Sequence, residues 1–473
     1  MKTQSNITRL VVVGFYLLLS LSGCGDDEGD KPKKFADEKP NQQEITPNHL
    51  RLLAPDGSPV VGAQYLIGSA QNTPFPGNFG VTNEKGEFSI PEAWVAPEMV
   101  TVDAPGYLRA TYMALEPRAR DIRMTKKFLA SSELRGRTTG HSVRDRDNII
   151  DYALVMGAMS RQDLLNFQIQ KVMSPLNDKI SVVGQEAEIP SNISLPRQTE
   201  RKLFINVTLD KQPYRLLVSQ TGPQRFFIAR GRFPFNDVVD GIMDKKSIVD
   251  LINYFSITGG SLRDINIVPG INNLDVAVNE LTFNQKRSYK APKLSSNQTL
   301  IALAATENGG YLIPTDFKRV TSEQSVQLGI WPEQTQWLAQ VVKNTSEFQM
   351  DAPGVDRLSA RLSPFTDNPP RDYLPLVANP RALTQWKFQA PEVKNPGVTA
   401  LTTYFVISDL SKSVMNGLER KNSSQVWEIF APDWVRQVEL PQWPWNQATA
   451  NTRVEVSFVG IDSNESIPLG VEM

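Results

Sequence analysis

One cysteine, Cys24, stands in 473 residues. No disulfide can close within such a chain, so its fold must be held by apolar burial and hydrogen bonds alone. The 33 prolines add a second restriction. Proline has no N–H to give to a helix or ladder interior, so this frequency favours many short elements and turns over long helices. The length suggests about three domains. Lys and Arg number 50 against 51 Asp and Glu, a net charge of −1, and that balance points to no nucleic-acid partner.

Cys24 also closes an apolar run. Lys2 and Arg9 precede Leu10–Leu21, twelve residues interrupted by Gly14 and Ser20. A bilayer core needs about 20 apolar residues, so this run is too short to span one. Small residues follow at Ser22 and Gly23, as a cleavage site requires. Leu21-Ser22-Gly23-Cys24 resembles the lipobox of bacterial lipoproteins. The resemblance implies that 1–23 is a signal peptide cut before Cys24, and that the Cys24 thiol carries a diacylglyceryl group. Membrane anchorage through Cys24 follows, with the bacterial outer membrane as location, on its periplasmic side or at the cell surface. Each buried methylene contributes roughly 0.8 kcal/mol, so two or more acyl chains hold well.

Residues 24–48 then read as a disordered charged tether. Asp26, Asp27, Glu28 and Asp30 mix with Lys31, Lys33 and Lys34, and there is little apolar surface to bury. A flexible chain of this length spans on the order of 25–30 Å. The acidic cluster after Cys24 resembles signals that send some lipoproteins to the cell surface.

Short strands with strong turns begin at His49. Pro55-Asp56-Gly57-Ser58-Pro59 is a turn in which Asp56 and Gly57 tolerate positive φ and the prolines stop pairing. Asn83-Glu84-Lys85-Gly86 leads into Glu87-Phe88-Ser89, with Gly86 suited to the left-handed end of a hairpin loop. Val100-Thr101-Val102 alternates before the turn Asp103–Tyr107. Together Asp56–Ala63, Thr82–Phe88 and Val100–Tyr107 resemble the carboxypeptidase regulatory-like domain. That resemblance implies a transthyretin-like β-sandwich over 49–126, a non-catalytic module with no active-site residues to transfer.

The middle region, 127–290, is expected to be β-rich with a few short helices. Asn148–Met156 reads as a buried strand, with a helix left open by its length. Ser160-Arg161-Gln162-Asp163 is a capping-box-like start to a short helix, and Leu203–Leu209 returns to strand alternation. Val238–Phe255 reads as one or two helices, with Gly241 and Lys245-Lys246 favouring two. From 291 to 473 strand and turn patterns return, with a domain boundary placed near 364–380. Trp386-Lys387-Phe388 opens a final unit, and Arg453–Phe458 alternates as a half-buried strand should. This last part loosely resembles fibronectin type III or immunoglobulin-like sandwiches. The expected fold class is therefore mainly β, with several β-sandwich-like modules.

Two clusters invite a functional reading. Arg225, Arg230 and Arg232 are interleaved with Phe226, Phe227, Phe233 and Phe235. They could bind a phosphate or a sugar acid by pairing and stacking, or form a strand with phenylalanines inward and arginines outward. Trp337, Trp434, Trp443 and Trp445 could stack on sugar rings, or serve as packing. Catalytic chemistry is harder to find. His49 and His141 are the only histidines, so no metal centre or cofactor is expected. Asp145, Asp147 and Asp151 lack the glycine and distal glutamate of a calcium loop. The expected function is an exported, membrane-anchored, non-catalytic scaffold or binding protein for a protein or saccharide partner. The alternative is a carbohydrate-active hydrolase using paired carboxylates.

Overall fold

The computed structural model describes residues 46–472 except 55–56, 128–131, 141–142, 145–148, 160–171, 173, 175, 183–184, 195–212, 219–220, 245–250, 309–310, 345–357, 377–380, 385–386, 390–399, 416–417, 433–434, 444–451 and 463–470. Cys24, the tether up to residue 45, Asp56, His141, Asp145, Asp147, the Ser160 helix, the Leu203–Leu209 strand, Trp386, Trp434 and Trp445 therefore lie outside the described residues. The chain is mainly β, with 61% of the described residues in strands and 4% helical. Among the described residues no helix is long and apolar enough to cross a membrane.

Two compact units emerge, and each draws on more than one stretch of the chain. The first runs from Phe128 to Ala339 and takes in Pro364–Arg371. The second joins the described residues 46–127 with Gln340–Ser363 and the described residues from Asp372 onward. The middle region thus continues past 290. The N-terminal strands share a unit with C-terminal ones, because Arg109–Tyr112 pairs in parallel with Trp427–Phe430. A parallel pair between segments this distant in sequence leaves no local signal.

In the first unit the strand Ile149–Gly157 pairs antiparallel with the long strand Gly222–Pro234, which pairs antiparallel with Ser256–Ile267. The sheet is buried on both faces. Ile150, Tyr152, Leu154 and Met156 enter one core, and Ala153 and Val155 the other. That answers the strand-or-helix question over 148–156: side chains alternate at period two between two cores. The first core is closed by Phe233, Phe235, Val238, Leu251, Phe255 and Phe283, partly from the helix Phe235–Met243. A second, 3-10 segment at Ile252–Tyr254 agrees with two helical pieces. The second core is completed by Leu134, Tyr214 and Leu216, from a sheet in which Ser132–Gly136 pairs with Tyr214–Val218 and Gly270–Asn273.

In the second unit His49–Leu53 lies between Arg120–Arg123, in parallel, and Glu87–Ser89, in antiparallel. Gln64–Ile67 pairs with Phe79–Val81 and with Glu98–Asp103, which pairs with Arg109–Leu115. Tyr65 stacks on Phe88 at 4.2 Å between centroids, joining the two sheets. Gly86 has φ +71°, and a Cβ there would lie 2.7 Å from the Leu52 carbonyl oxygen, so the hairpin loop requires glycine twice over. Ala400–Met415 pairs antiparallel with Leu418–Pro432 and with Thr452–Ile461. Trp427, Ile429, Phe405, Ile407 and Phe458 form its core with Leu374, Phe388 and Val438.

Candidate functional site

The three candidate arginines all lie on the long strand Gly222–Pro234, but they do not act together. Arg225 is held by Asp264, its register partner on the next strand. Its Nε and Nη2 donate to Asp264 Oδ1 and Oδ2 at 2.7 and 2.8 Å, and Nη1 donates to Asn308 Oδ1 at 3.1 Å. Its guanidinium also lies 5.7 Å from the Tyr311 ring centroid. Arg232 donates through Nε to Asp151 Oδ1 at 2.9 Å, again across a register pair. Arg230 differs. Its Nε is buried and donates to nothing, and no carboxylate among the described residues forms an ion pair with it.

The phenylalanines do not all turn inward on one face. Phe226 and Ile228 enter one core while Phe227, Ala229 and Phe233 enter the other, because the strand is covered on both sides. Arg230 and Arg232 continue the Phe226–Ile228 face at spacing two, and Arg225 lies on the Phe227 side. All four phenylalanines are buried and the three arginines only half-buried, as expected of a strand with phenylalanines inward, but the burial is on two faces. Sequence alone could not find it, since a one-faced strand and a two-faced strand share this alternation until the neighbouring sheets are known.

The tryptophans form no sugar platform among the described residues. Trp337 is 5% exposed and donates Nε1–H to Glu307 Oε2 at 2.8 Å. Trp443 is 6% exposed and covers Arg109, whose guanidinium lies 4.9 Å from the Trp443 ring and 4.8 Å from the Trp427 ring. Stacking on a pyranose needs an open ring face, and these faces are spent on packing. Arg109 also donates to Asp103 from Nε and Nη2 at 3.1 and 3.0 Å. This cation sandwich was missed in sequence because its members come from distant segments.

Four buried carboxylates have donors of their own. Asp121 accepts from Arg51, Asp151 from Arg232, and Glu87 from the hydroxyl and N–H of Thr46. Asp316 accepts from the N–H groups of Phe317 and Gly329 at 2.8 and 2.9 Å and from Lys318 Nζ at 3.4 Å. Burial raises its carboxyl above the ordinary range, while Lys318 and the two N–H groups pull the other way. Tyr152 is raised as well, by burial and then by Asp316. A glycosidase acid is raised within a cleft and works opposite a second carboxylate. Asp316, at 3% exposure, owes its shift to burial. His49 is spent on Pro47 O and Ser89 Oγ. No three His, Cys, Asp or Glu side chains among the described residues converge to hold a metal ion.

No family model matches this chain. No curated protein matches it either. Among solved structures it is similar to the Bacillus anthracis TIE protein, at 9% identity and a TM-score of 0.13, covering 64% of this chain and 45% of that one. It is also similar to a Streptococcal ancillary pilin, at 9% identity and a TM-score of 0.13, covering 62% of this chain and 89% of that one. The chain thus spans less than half the length of the first of these. Likeness at this level carries no argument about fold or function.

Proposed function

We propose that this chain is an exported lipoprotein, anchored through Cys24, that serves without catalysis as a scaffold or binding protein for a protein or saccharide partner. The observation that carries the reading is the Leu21-Ser22-Gly23-Cys24 segment at the end of a short apolar run. Acylation there would tether the molecule without any spanning helix. The carboxypeptidase regulatory-like resemblance over 49–126 is supported by seven short strands in two sheets joined through Tyr65 and Phe88. A non-catalytic role is supported by the way Asp121, Asp151 and Asp316 are tied to internal donors.

The test is fractionation of cells expressing wild type and Cys24→Ala, followed by protease treatment of intact cells. Wild type is expected in the outer-membrane fraction and the variant in the soluble one. Retention of Cys24→Ala on the membrane would overturn the anchor. Cleavage on intact cells would place the domains outside, and protection until the outer membrane is opened would place them in the periplasm.

A further inference from the structure

We propose that Ser89 is a modification site, an activated serine that takes the acyl group of an ester with His49 as its base. The proposal goes beyond the binding role above and does not rest on it. His49–Leu53 pairs antiparallel with Glu87–Ser89, and His49 stands directly opposite Ser89. The neighbouring pair carries a ladder bond, since the Ile90 N–H donates to Asn48 O at 2.8 Å. His49 and Ser89 therefore form a pair without ladder bonds, the kind in which side chains come closest. There Ser89 Oγ lies 3.0 Å from His49 Nε2.

The tautomer sets the direction of that bond. His49 Nδ1 lies 2.8 Å from Pro47 O, and a carbonyl oxygen only accepts. In the neutral ring Nδ1 thus carries the proton, Nε2 keeps its lone pair, and the Ser89 hydroxyl donates. Pro47 is itself held in place. Thr46 donates through its N–H and its hydroxyl to Glu87 at 3.2 and 2.8 Å, and the His49 N–H donates to Thr46 O at 3.1 Å. Nucleophile, base and orienting carbonyl stand in one hydrogen-bonded line, the order that general-base activation of a serine needs. Glu87 and His49 also attract one another, which favours the imidazolium formed when the ring takes the serine proton.

The sheet edge supplies access. Glu87–Ser89 is the last strand of its four-stranded sheet. Because the Ile90 N–H points to Asn48, the Ser89 N–H points the other way, toward the open edge. Ser89 is exposed, so an ester carbonyl reaches its hydroxyl, and the Ser89 N–H is a donor for the oxyanion that forms. The Oγ–carbonyl carbon bond forms, the ester C–O bond breaks, and His49 passes the serine proton to the departing alcohol. This is one transfer onto the protein and not a turnover.

The experiment treats the full-length protein in detergent with para-nitrophenyl acetate and follows acetylation of each serine by peptide mass spectrometry. Ser296 is the internal reference, since it is also exposed but bonds to no histidine among the described residues. Ser89 is expected to be acetylated roughly a hundredfold faster than Ser296, the usual gain from a positioned base. His49→Gln is expected to remove most of that gain while Ser296 reacts as before. Equal rates at Ser89 and Ser296 in wild type would overturn the proposal. So would an unchanged Ser89 rate in His49→Gln that unfolds at the wild-type urea midpoint. Should His49→Gln fail to fold, the comparison of Ser89 with Ser296 in wild type decides alone. Failure here leaves the fractionation result for Cys24 untouched, so the two readings fall separately.

Discussion

Arg51 and Asp121 face each other in register on neighbouring parallel strands, and Arg51 Nε and Nη2 reach Asp121 Oδ1 and Oδ2 at 2.7 and 2.8 Å. Both residues are buried, at 6% and 9% exposure. The hydrogen bonds to Asp121, more than the charge itself, raise the Arg51 guanidinium above its ordinary value. A buried pair of this kind adds little net stability, but removing Asp121 leaves the Arg51 charge in the interior without the two hydrogen bonds that hold it. Asp121→Ala is therefore expected to cost about 3–5 kcal/mol, and the double change Arg51→Met with Asp121→Leu far less. Urea denaturation of the three proteins checks this. Equal losses for the single and the double variant would show that packing, and not the stranded charge, sets the cost.

Gly231 carries a second sharp expectation. It is the register partner of Tyr152, and a Cβ on it would lie 2.2 Å from the Tyr152 ring. The ring cannot retreat easily, since Tyr152 also meets Phe233 at 6.2 Å and Phe255 at 5.9 Å between centroids. Gly231→Ala should destabilise the first unit by about 1–3 kcal/mol, the usual cost of overpacking a filled core. Near-UV circular dichroism should lose intensity with it. A variant with wild-type stability would mean that Tyr152 has another rotamer to occupy.

The mainly β character was legible from prolines, short alternating runs and turn glycines such as Gly86, because those signals are local. Buried Ile149–Gly157 was legible as apolar, but its two-sided burial was not, since that depends on which sheets cover it. The joining of distant segments into one unit was not legible. It rests on pairings such as Arg109 with Trp427, which no turn or spacing announces. The same holds for the site. Arg225, Arg230 and Arg232 look alike in sequence, and only the partners Asp264 and Asp151 on other strands set Arg230 apart.

Arg109, between Trp427 and Trp443, is expected to depend on its flat guanidinium as much as on its charge. Lysine would keep the attraction to Asp103 but lose the stacked plane. Both Arg109→Lys and Arg109→Ala should red-shift tryptophan fluorescence, with losses of about 1 and 2 kcal/mol in that order. A lysine variant with unchanged emission and stability would reduce the sandwich to a simple ion pair.

Asp316 makes the last prediction, and its sign follows from its surroundings. Burial is the largest influence and raises the carboxyl above its ordinary 3.8, against the pull of Lys318 and of the Gly329 and Phe317 N–H groups. A carboxyl raised in the folded state holds its proton more tightly there than in the unfolded chain. Its contribution to stability is complete below the unfolded value and is lost as pH rises through the folded one. Asp316→Asn keeps an acceptor for the Gly329 N–H but cannot titrate. Wild type should thus lose stability relative to Asp316→Asn from about pH 4 upward, with the difference levelling off once the folded carboxyl is ionised. Paired urea titrations between about pH 3.5 and 7.5 measure that difference directly. A wild type that gains on the variant as pH rises would mean that Lys318 and the backbone donors outweigh burial, and that the Asp316 carboxyl is held below its ordinary value.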